Sequence, residues 1–464
     1  EVQREMGAVR FHDRAESVRL LSSEGTSHVR WGLVFWLFVL SGISYLDRVN
    51  IAIAGTSLAD EYHLSPVRLG WVFSAFLLAY ALFQTPGGWL VDRFGPRRVL
   101  TVGVLWWGIF TALTASLPTK VLGAVFFFML VRFLLGAGES IIYPSSNQFV
   151  SQWVPPQERG VANGIIFAGV GAGAGVAPTL VTFVMRNYGW RASFWLSALI
   201  GLGAGIVWYL ISRDKPEQHP SVSASELALI RHSSAPASLV VTAARLSRRL
   251  QAPNEPSGIT WNSIISSKSI LAVTASYFCF GYVAWIFFSW FYIYLAKVRG
   301  MDLKSSALYS TLPPIAIVVC SLSGGAINDA LSDSYGKRVG RCGIACLGLL
   351  LAAAFLLVGS RAASPAIAGI VLSGGAGALY LSQSSYWSVT ADIAGNGAGK
   401  VSGFMNMGAQ LGGALTASLT PAIAQQYGWT TSFLVAAVLS TLGGLAWLLV
   451  DPEQRLSVTG ETAP

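Results

Sequence analysis

Charge is what this chain has least of. Its 31 Lys and Arg and 22 Asp and Glu are 11% of 464 residues, against about 25% in soluble domains. So few charges cannot cover the surface of a water-soluble protein of this size. Cysteine is also scarce: Cys279, Cys320, Cys342 and Cys346 all fall in apolar runs, which excludes a disulfide scaffold and suits small packing residues. The five histidines, His12, His28, His63, His219 and His232, lie in tails or loops, so neither a histidine relay nor a metal centre is expected, and no cofactor. What the chain does have is apolar residues, 53% of the total, enough for about twelve membrane-spanning helices of about 20 residues each.

Long apolar runs fall at 31–57, 69–90, 98–117, 121–147, 160–185 and 191–211, then at 269–296, 306–331, 339–359, 364–390, 398–425 and 430–450. The pattern predicts twelve spans in two sets of six. Five segments follow: a tail (1–30), a first bundle (31–211), a linker (212–268) rich in Arg, Pro and Ser, a second bundle (269–450) and a short tail (451–464). The tails and even-numbered connections hold 21 of the 31 basic residues, and the odd-numbered connections 8. By the positive-inside rule both termini and the linker are expected in the cytoplasm. The net charge of +9 is then a topology signal and does not point to nucleic acid. Residues 1–30 are charged throughout, so the first span, and no cleavable leader, is expected to direct insertion.

The two sets repeat. Gly87-Gly88 with Asp92 recurs as Gly324-Gly325 with Asp329, and Tyr188-Gly189-Trp190 recurs as Tyr427-Gly428-Trp429. Gly164, Gly169 and Gly173 map onto Gly403, Gly408 and Gly412. Shifts of 237 to 239 residues in several places predict an all-α membrane protein of two six-helix bundles. These are related by a pseudo-two-fold axis along the membrane normal, with a substrate held between them.

The run Gly88-Trp89-Leu90-Val91-Asp92-Arg93-Phe94-Gly95-Pro96-Arg97-Arg98 resembles the signature loop of the major facilitator superfamily. Tyr45-Leu46-Asp47-Arg48-Val49-Asn50, and Arg132 with Glu139, resemble its anion:cation symporter branch. That branch includes bacterial galactonate, glucarate and hexuronate transporters, sialin and the vesicular glutamate carriers. The resemblance implies proton-coupled import of an organic anion, a sugar acid above all, through a bacterial inner membrane by a monomer that rocks between two open states. It also implies that Gly88, Asp92, Arg93, Gly95 and Arg97, with Asp329 in the second half, act as a gate on the cytoplasmic side, and that Asn406 meets polar substrate groups.

The residues support this without the name. Only Asp47, Arg48, Arg132 and Glu139 are ionisable groups deep in the spans, where an unpaired charge costs about 2.5–3.5 kcal/mol or more. A carboxylate substrate needs a cation that never deprotonates, and guanidinium offers a two-pronged one. Arg48 is the first choice, with Arg132 beside it. Proton coupling needs a group that can be neutral in one state and ionised in another, which points to Asp47 and Glu139. At a shift of 239, Arg132 and Glu139 correspond to Val371 and Ala378, so charge chemistry is expected in the first half alone. The second half offers Ser382, Gln383, Trp387 and Asn406 for hydroxyls, with Tyr45 and Tyr80 closing the site from the first.

Each assignment has a structural alternative. The four charges could be ion pairs that hold the bundle, the tyrosines packing, and the neutral polar residues bonds between helices. The run from Gly169 to Gly175 mimics a phosphate loop but lies inside an apolar span, which favours close helix packing. An exporter or exchanger of drugs or other organic ions is the alternative function, though its cavity should not carry two buried arginines. An enzyme or receptor would need a catalytic or soluble domain absent from this pattern.

Overall fold

The computed structural model describes residues 27–64, 66–118, 123–232 and 259–456. The tail residues 1–26 and 457–464, and the linker stretch 233–258 with Arg245, Arg248 and Arg249, lie outside the described residues. The described chain is helical. The first half contains α1 (Val29–Glu61), α2 (Pro66–Phe94), α3 (Pro96–Ser116), α4 (Ala124–Glu139), α5 (Ile142–Trp153), α6 (Arg159–Tyr188) and α7 (Trp190–Ile211). A short α8 (Ala224–His232) and α9 (Trp261–Ser266) flank the linker. The second half contains α10 (Lys268–Ser289), α11 (Leu312–Tyr335), α12 (Ile344–Arg361), α13 (Pro365–Leu381), α14 (Gln383–Ala394), α15 (Ala398–Tyr427) and α16 (Trp429–Ala446).

Ten segments of the described chain are long and apolar enough to cross a membrane. One of them, Pro365–Tyr427, holds two antiparallel passes separated by the turn at Gly395–Gly397. With α2, whose 29 residues pack on α4 and α15, the twelve expected passes are accounted for. Helix ends follow local chemistry. Gly95 and Gly336 take φ of 87° and 85°, a left-handed turn open to glycine without strain, at matching places in the two halves.

Two features differ from the sequence expectation. The fourth pass is interrupted at Ser140 and Ile141, and the tenth at Ser382. Glu139 ends α4 as Leu381 ends α13, and Ile142 begins α5 as Gln383 begins α14, so in this pass the repeat runs at 241 to 242. Glu139 then falls at Tyr380–Leu381 and Arg132 at Ser373–Gly374, correcting Ala378 and Val371. The linker, second, begins as part of the first half. The buried Glu226 carboxylate of α8 accepts from the Val29 and Arg30 amides and from Arg30 Nη1 at 3.0–3.2 Å. It caps the first turn of α1, where unpaired N–H groups and the helix dipole favour an anion.

The halves meet along α2 with α15 and α6 with α11. Small residues permit this: a Cβ on Gly164 would strike the Ser321 carbonyl and one on Gly171 the Pro314 carbonyl of α11, while on the other face of α6 one on Gly173 would strike the Gly42 backbone of α1 within the first half. The glycine run is a packing surface for α1 and α11.

Candidate functional site

Adjacent positions on α1 point about 100° apart, and Asp47 and Arg48 turn to different neighbours. Arg48 reaches α4, where its Nε donates to Glu139 Oε1 at 2.7 Å; Ser44 Oγ donates to the same oxygen. Three rings surround its guanidinium, Tyr45 at 4.7 Å, Phe76 at 5.5 Å and Tyr80 at 4.5 Å. The guanidinium of Arg132, two turns before Glu139, lies 4.7 Å from the centre of the Phe76 ring, so one ring is shared by both guanidinium groups. Arg132 makes no ion pair among the described residues, and its Nε has no hydrogen-bond partner. Glu139 stands at the carbonyl end of α4, where the helix dipole disfavours a carboxylate and Arg48 offsets it. Asp47 turns into the first bundle and accepts from Trp107 Nε1 and, at 3.4 Å, from Thr111 Oγ1.

Beside Tyr45, between the halves, lies a cavity of about 40 Å³. Tyr143 and Phe167 also line it from the first half, and Tyr277, Tyr380, Gln383, Asn406 and Gln410 from the second. It has room for about one water and is too small for a sugar acid, so loading requires the halves to separate. Its walls nonetheless carry unspent polar atoms: Gln383 Oε1, Asn406 Nδ2 and Gln410 Oε1 are buried without a hydrogen-bond partner, as are Arg48 Nη2 and Tyr80 Oη nearby. Buried polar atoms are costly to leave unpaired, and their convergence marks where a polar ligand fits.

Two of the expected contacts are corrected. The Ser382 hydroxyl donates to the Leu379 carbonyl at 2.5 Å and its backbone sits against Gly348 of α12, so it serves the helix break and does not face the cavity. Trp387 does not line the cavity either. Its Nε1 and Gln383 Nε2 both donate to the Tyr277 hydroxyl, at 3.2 and 2.8 Å, and its ring packs on Tyr143 and Phe167. Gln383, Asn406 and Tyr45 do reach the cavity, while Tyr80 stacks behind Arg48.

On the face that carries the chain ends the halves are held shut. The Asp92 carboxylate accepts from the Gly399 and Lys400 amides, each at 3.0 Å, at the start of α15. Asp329 accepts from the Gly160 and Val161 amides at 2.9 and 2.7 Å, at the start of α6. Each carboxylate thus binds the amino end of a helix in the opposite half. Gly88 lets the backbones approach, since a Cβ there would meet the Gly399 carbonyl. Arg93 and Arg97 are corrected as gate contacts. Arg93 is exposed and stacks on Trp89 and Phe94 of its own helix; Arg97 donates to the Tyr209 carbonyl at 2.8 and 3.1 Å. Gly95 likewise serves this brace inside the first half, with the Asp214 carboxylate against it.

Sequence reasoning missed a second set of ion pairs here. Arg159 of α6 crosses to Asp392 of α14 at 2.5 Å, and Lys337 and Arg341 approach the same carboxylate at 3.1 and 3.6 Å. Arg341 also holds Asp329 at 2.7 Å. A signal was present, because Asp392 is the one acid between Asp333 and Asp451. The cavity tyrosines Tyr143, Tyr277 and Tyr380 were missed as well, since nothing in an apolar run separates a lining tyrosine from a packing one.

Comparison with known proteins agrees with this geometry. The family model described as "Major Facilitator Superfamily" matches residues 37–417 and 330–463. The Cupriavidus necator protein named "Probable sulfoacetate transporter SauU" is 32% identical over 429 residues, covering 92% of this chain and 94% of its own. The Escherichia coli K12 protein named "Probable galactarate/D-glucarate transporter GarP" is 31% identical, covering 71% of this chain and 74% of its own. The solved structure of the proton:xylose symporter XylE bound to 6-bromo-6-deoxy-D-glucose shares the fold, with a TM-score of 0.72, 16% identity and coverage of 91% and 97%. Twelve passes in two similar halves, a signature loop that closes one face and a family match over most of its length lead to one conclusion: the chain belongs to the major facilitator superfamily and is a multi-pass membrane transporter.

Proposed function

We propose that the protein imports a small organic anion, a sugar acid, together with protons, with both termini in the cytoplasm. The observation that carries this reading is the Arg48–Glu139 pair at 2.7 Å behind Tyr45, with Arg132 lacking an acid partner on the same side of the cavity. While Glu139 is ionised it occupies Arg48. Protonating Glu139 removes the competing charge and releases a bidentate cation for the substrate carboxylate. Asp47, held by Trp107 on the far side of α1, is a second protonation site. Its charge acts on Arg132 and Glu139 through the buried, low-dielectric bundle.

The second half sets selectivity. Gln383 Oε1 and Gln410 Oε1 offer acceptors and Asn406 Nδ2 a donor, a set that suits hydroxyl groups as well as a carboxylate. The galactarate/D-glucarate relatives support a hydroxylated acid. The sulfoacetate relative gives the second reading, a compact sulfonate-carboxylate, which has no hydroxyl to donate to the two glutamines.

The cycle follows from the latches. Asp92 and Asp329 hold the cytoplasmic face closed while substrate and proton load from outside, and the loaded, charge-balanced site lets the halves rock. The test is uptake of radiolabelled sugar acids, sulfoacetate, phosphate and organic cations by purified protein in liposomes, with and without a protonophore. Concentrative uptake of a hydroxylated acid that stops with the protonophore supports the reading, whereas uptake of cations in preference to acids overturns it.

A further inference from the structure

A second and larger cavity, of about 550 Å³, opens on the face of the chain ends. Gln152, Arg159 and Lys215 wall it from the first half and its linker, and Lys337, Asp392 and Arg455 from the second. Its charges do not balance. Asp392 is shared by Arg159, Lys337 and Arg341, and Glu217 at the rim is taken by Arg231 at 2.9 Å. Lys215 and Arg455 add two cations that form no ion pair among the described residues. Arg159 is buried, feels the like charges of Arg341 and Arg455, and leaves its Nε without a hydrogen-bond partner. Crowded cations with an open, desolvated N–H are a receptor for an anion.

We propose that this cavity binds a small multivalent oxyanion, of the phosphate or polycarboxylate kind, and that the bound anion ties the halves together and holds this face shut. The cations come from both walls, so opening the face would pull them apart. An anion that spans them binds the shut state in preference, and by linkage it shifts the population toward that state. On the cytoplasmic side such an anion slows import as it accumulates. The site is separate from the central cavity and does not depend on which acid is transported.

The test uses the full chain in nanodiscs of zwitterionic lipid, titrated with inorganic phosphate, galactarate or chloride at matched ionic strength, by calorimetry and thermal unfolding. The expected result is saturable phosphate binding and a rise in Tm that chloride does not give. Both should persist in Arg48→Ala and be lost in a Lys215→Gln/Arg455→Gln double variant. Galactarate binding that survives Arg48→Ala and disappears in the double variant would show that accumulated sugar acid can fill the same site. In liposomes loaded with phosphate at twice its Kd, uptake should fall by about threefold, since one third of the protein stays free, and the double variant should be insensitive. Equal responses to phosphate and chloride, or binding unchanged in the double variant, would overturn the proposal. Stabilisation by phosphatidylglycerol with none by soluble phosphate would overturn it in favour of a lipid headgroup. The binding arm requires no transport, so failure to transport any acid would overturn the proposed function and leave this inference standing.

Discussion

Arg48 and Glu139 are joined at 2.7 Å across α1 and α4, and each is the other's one ion-pair partner among the described residues. The cation suited to a substrate carboxylate is thus occupied by the acid suited to a proton. A single protonation changes both.

This pair gives the first prediction. Arg48→Ala should abolish substrate binding, and Arg48→Lys should bind weakly because a point charge cannot replace the fork. Glu139→Gln mimics the protonated acid, so it should keep binding and counterflow and lose uptake driven by a proton gradient. Counterflow and gradient-driven uptake measured on the same vesicles decide this; full concentrative uptake by Glu139→Gln would remove Glu139 from coupling.

The second-half amides should act on preference. Asn406→Ala and Gln383→Ala each remove a group with an unpaired atom at the cavity, at a cost of about 1–2 kcal/mol in binding a hydroxylated acid, about a tenfold change or more. The proton requirement should stay the same. Competition uptake with acids that differ in one hydroxyl reads the change, and an unaltered profile would count against both residues.

The latches predict a shift in conformational balance. Asp92→Asn and Asp329→Asn weaken a charge-assisted contact with a helix start in the opposite half. Gly88→Ala places a methyl group against the Gly399 carbonyl. All three should open the face of the chain ends more often, seen as faster labelling of a cysteine placed at Thr390, which is buried against Asn147 of the opposite half, with slower transport. Asp392→Asn should be the most damaging to stability. It leaves Arg159 buried without its carboxylate, a loss of about 3–5 kcal/mol that a lowered Tm would report.

Asp214 offers a pH test outside the spans. Burial pushes its carboxyl above the usual carboxylate range, against the pull of the Arg97 amide and of Arg98, Arg97 and Lys215. A carboxyl whose folded pKa exceeds its unfolded value loses stability as pH rises from the unfolded value, about 3.9, through the folded one. Asp214→Asn should therefore show a smaller fall in Tm than the parent chain as pH rises above about 3.9. An equal fall would mean that Asp214 does not titrate in this range.

How much was legible in the sequence can be judged from particular residues. The twelve passes, the repeat and the four intramembrane charges could be read directly, because apolar runs and isolated charges are strong signals. Asp92 and Asp329 could be read as a matched pair through the repeat. The interruption after Glu139 is announced by Pro144, which has no N–H for the Ser140 carbonyl four residues back, but the continuous apolar run hides it and the repeat register slips there as a result. Ser382 looked like a ligand group because a serine in a span looks the same whether it serves its own backbone or a cavity. Arg159, Lys337 and Arg341 sat at predicted span edges, where basic residues are common, and only folding brings them onto Asp392.

Protons driving the anion are the centre of the proposed cycle. Its most direct test is the uptake of a radiolabelled sugar acid by proteoliposomes under an inward proton gradient, with and without a protonophore. Accumulation above equilibrium is expected in the parent protein, with collapse under the protonophore and loss of that accumulation in Glu139→Gln. Uptake that is indifferent to the gradient, or accumulation undiminished in Glu139→Gln, would contradict it.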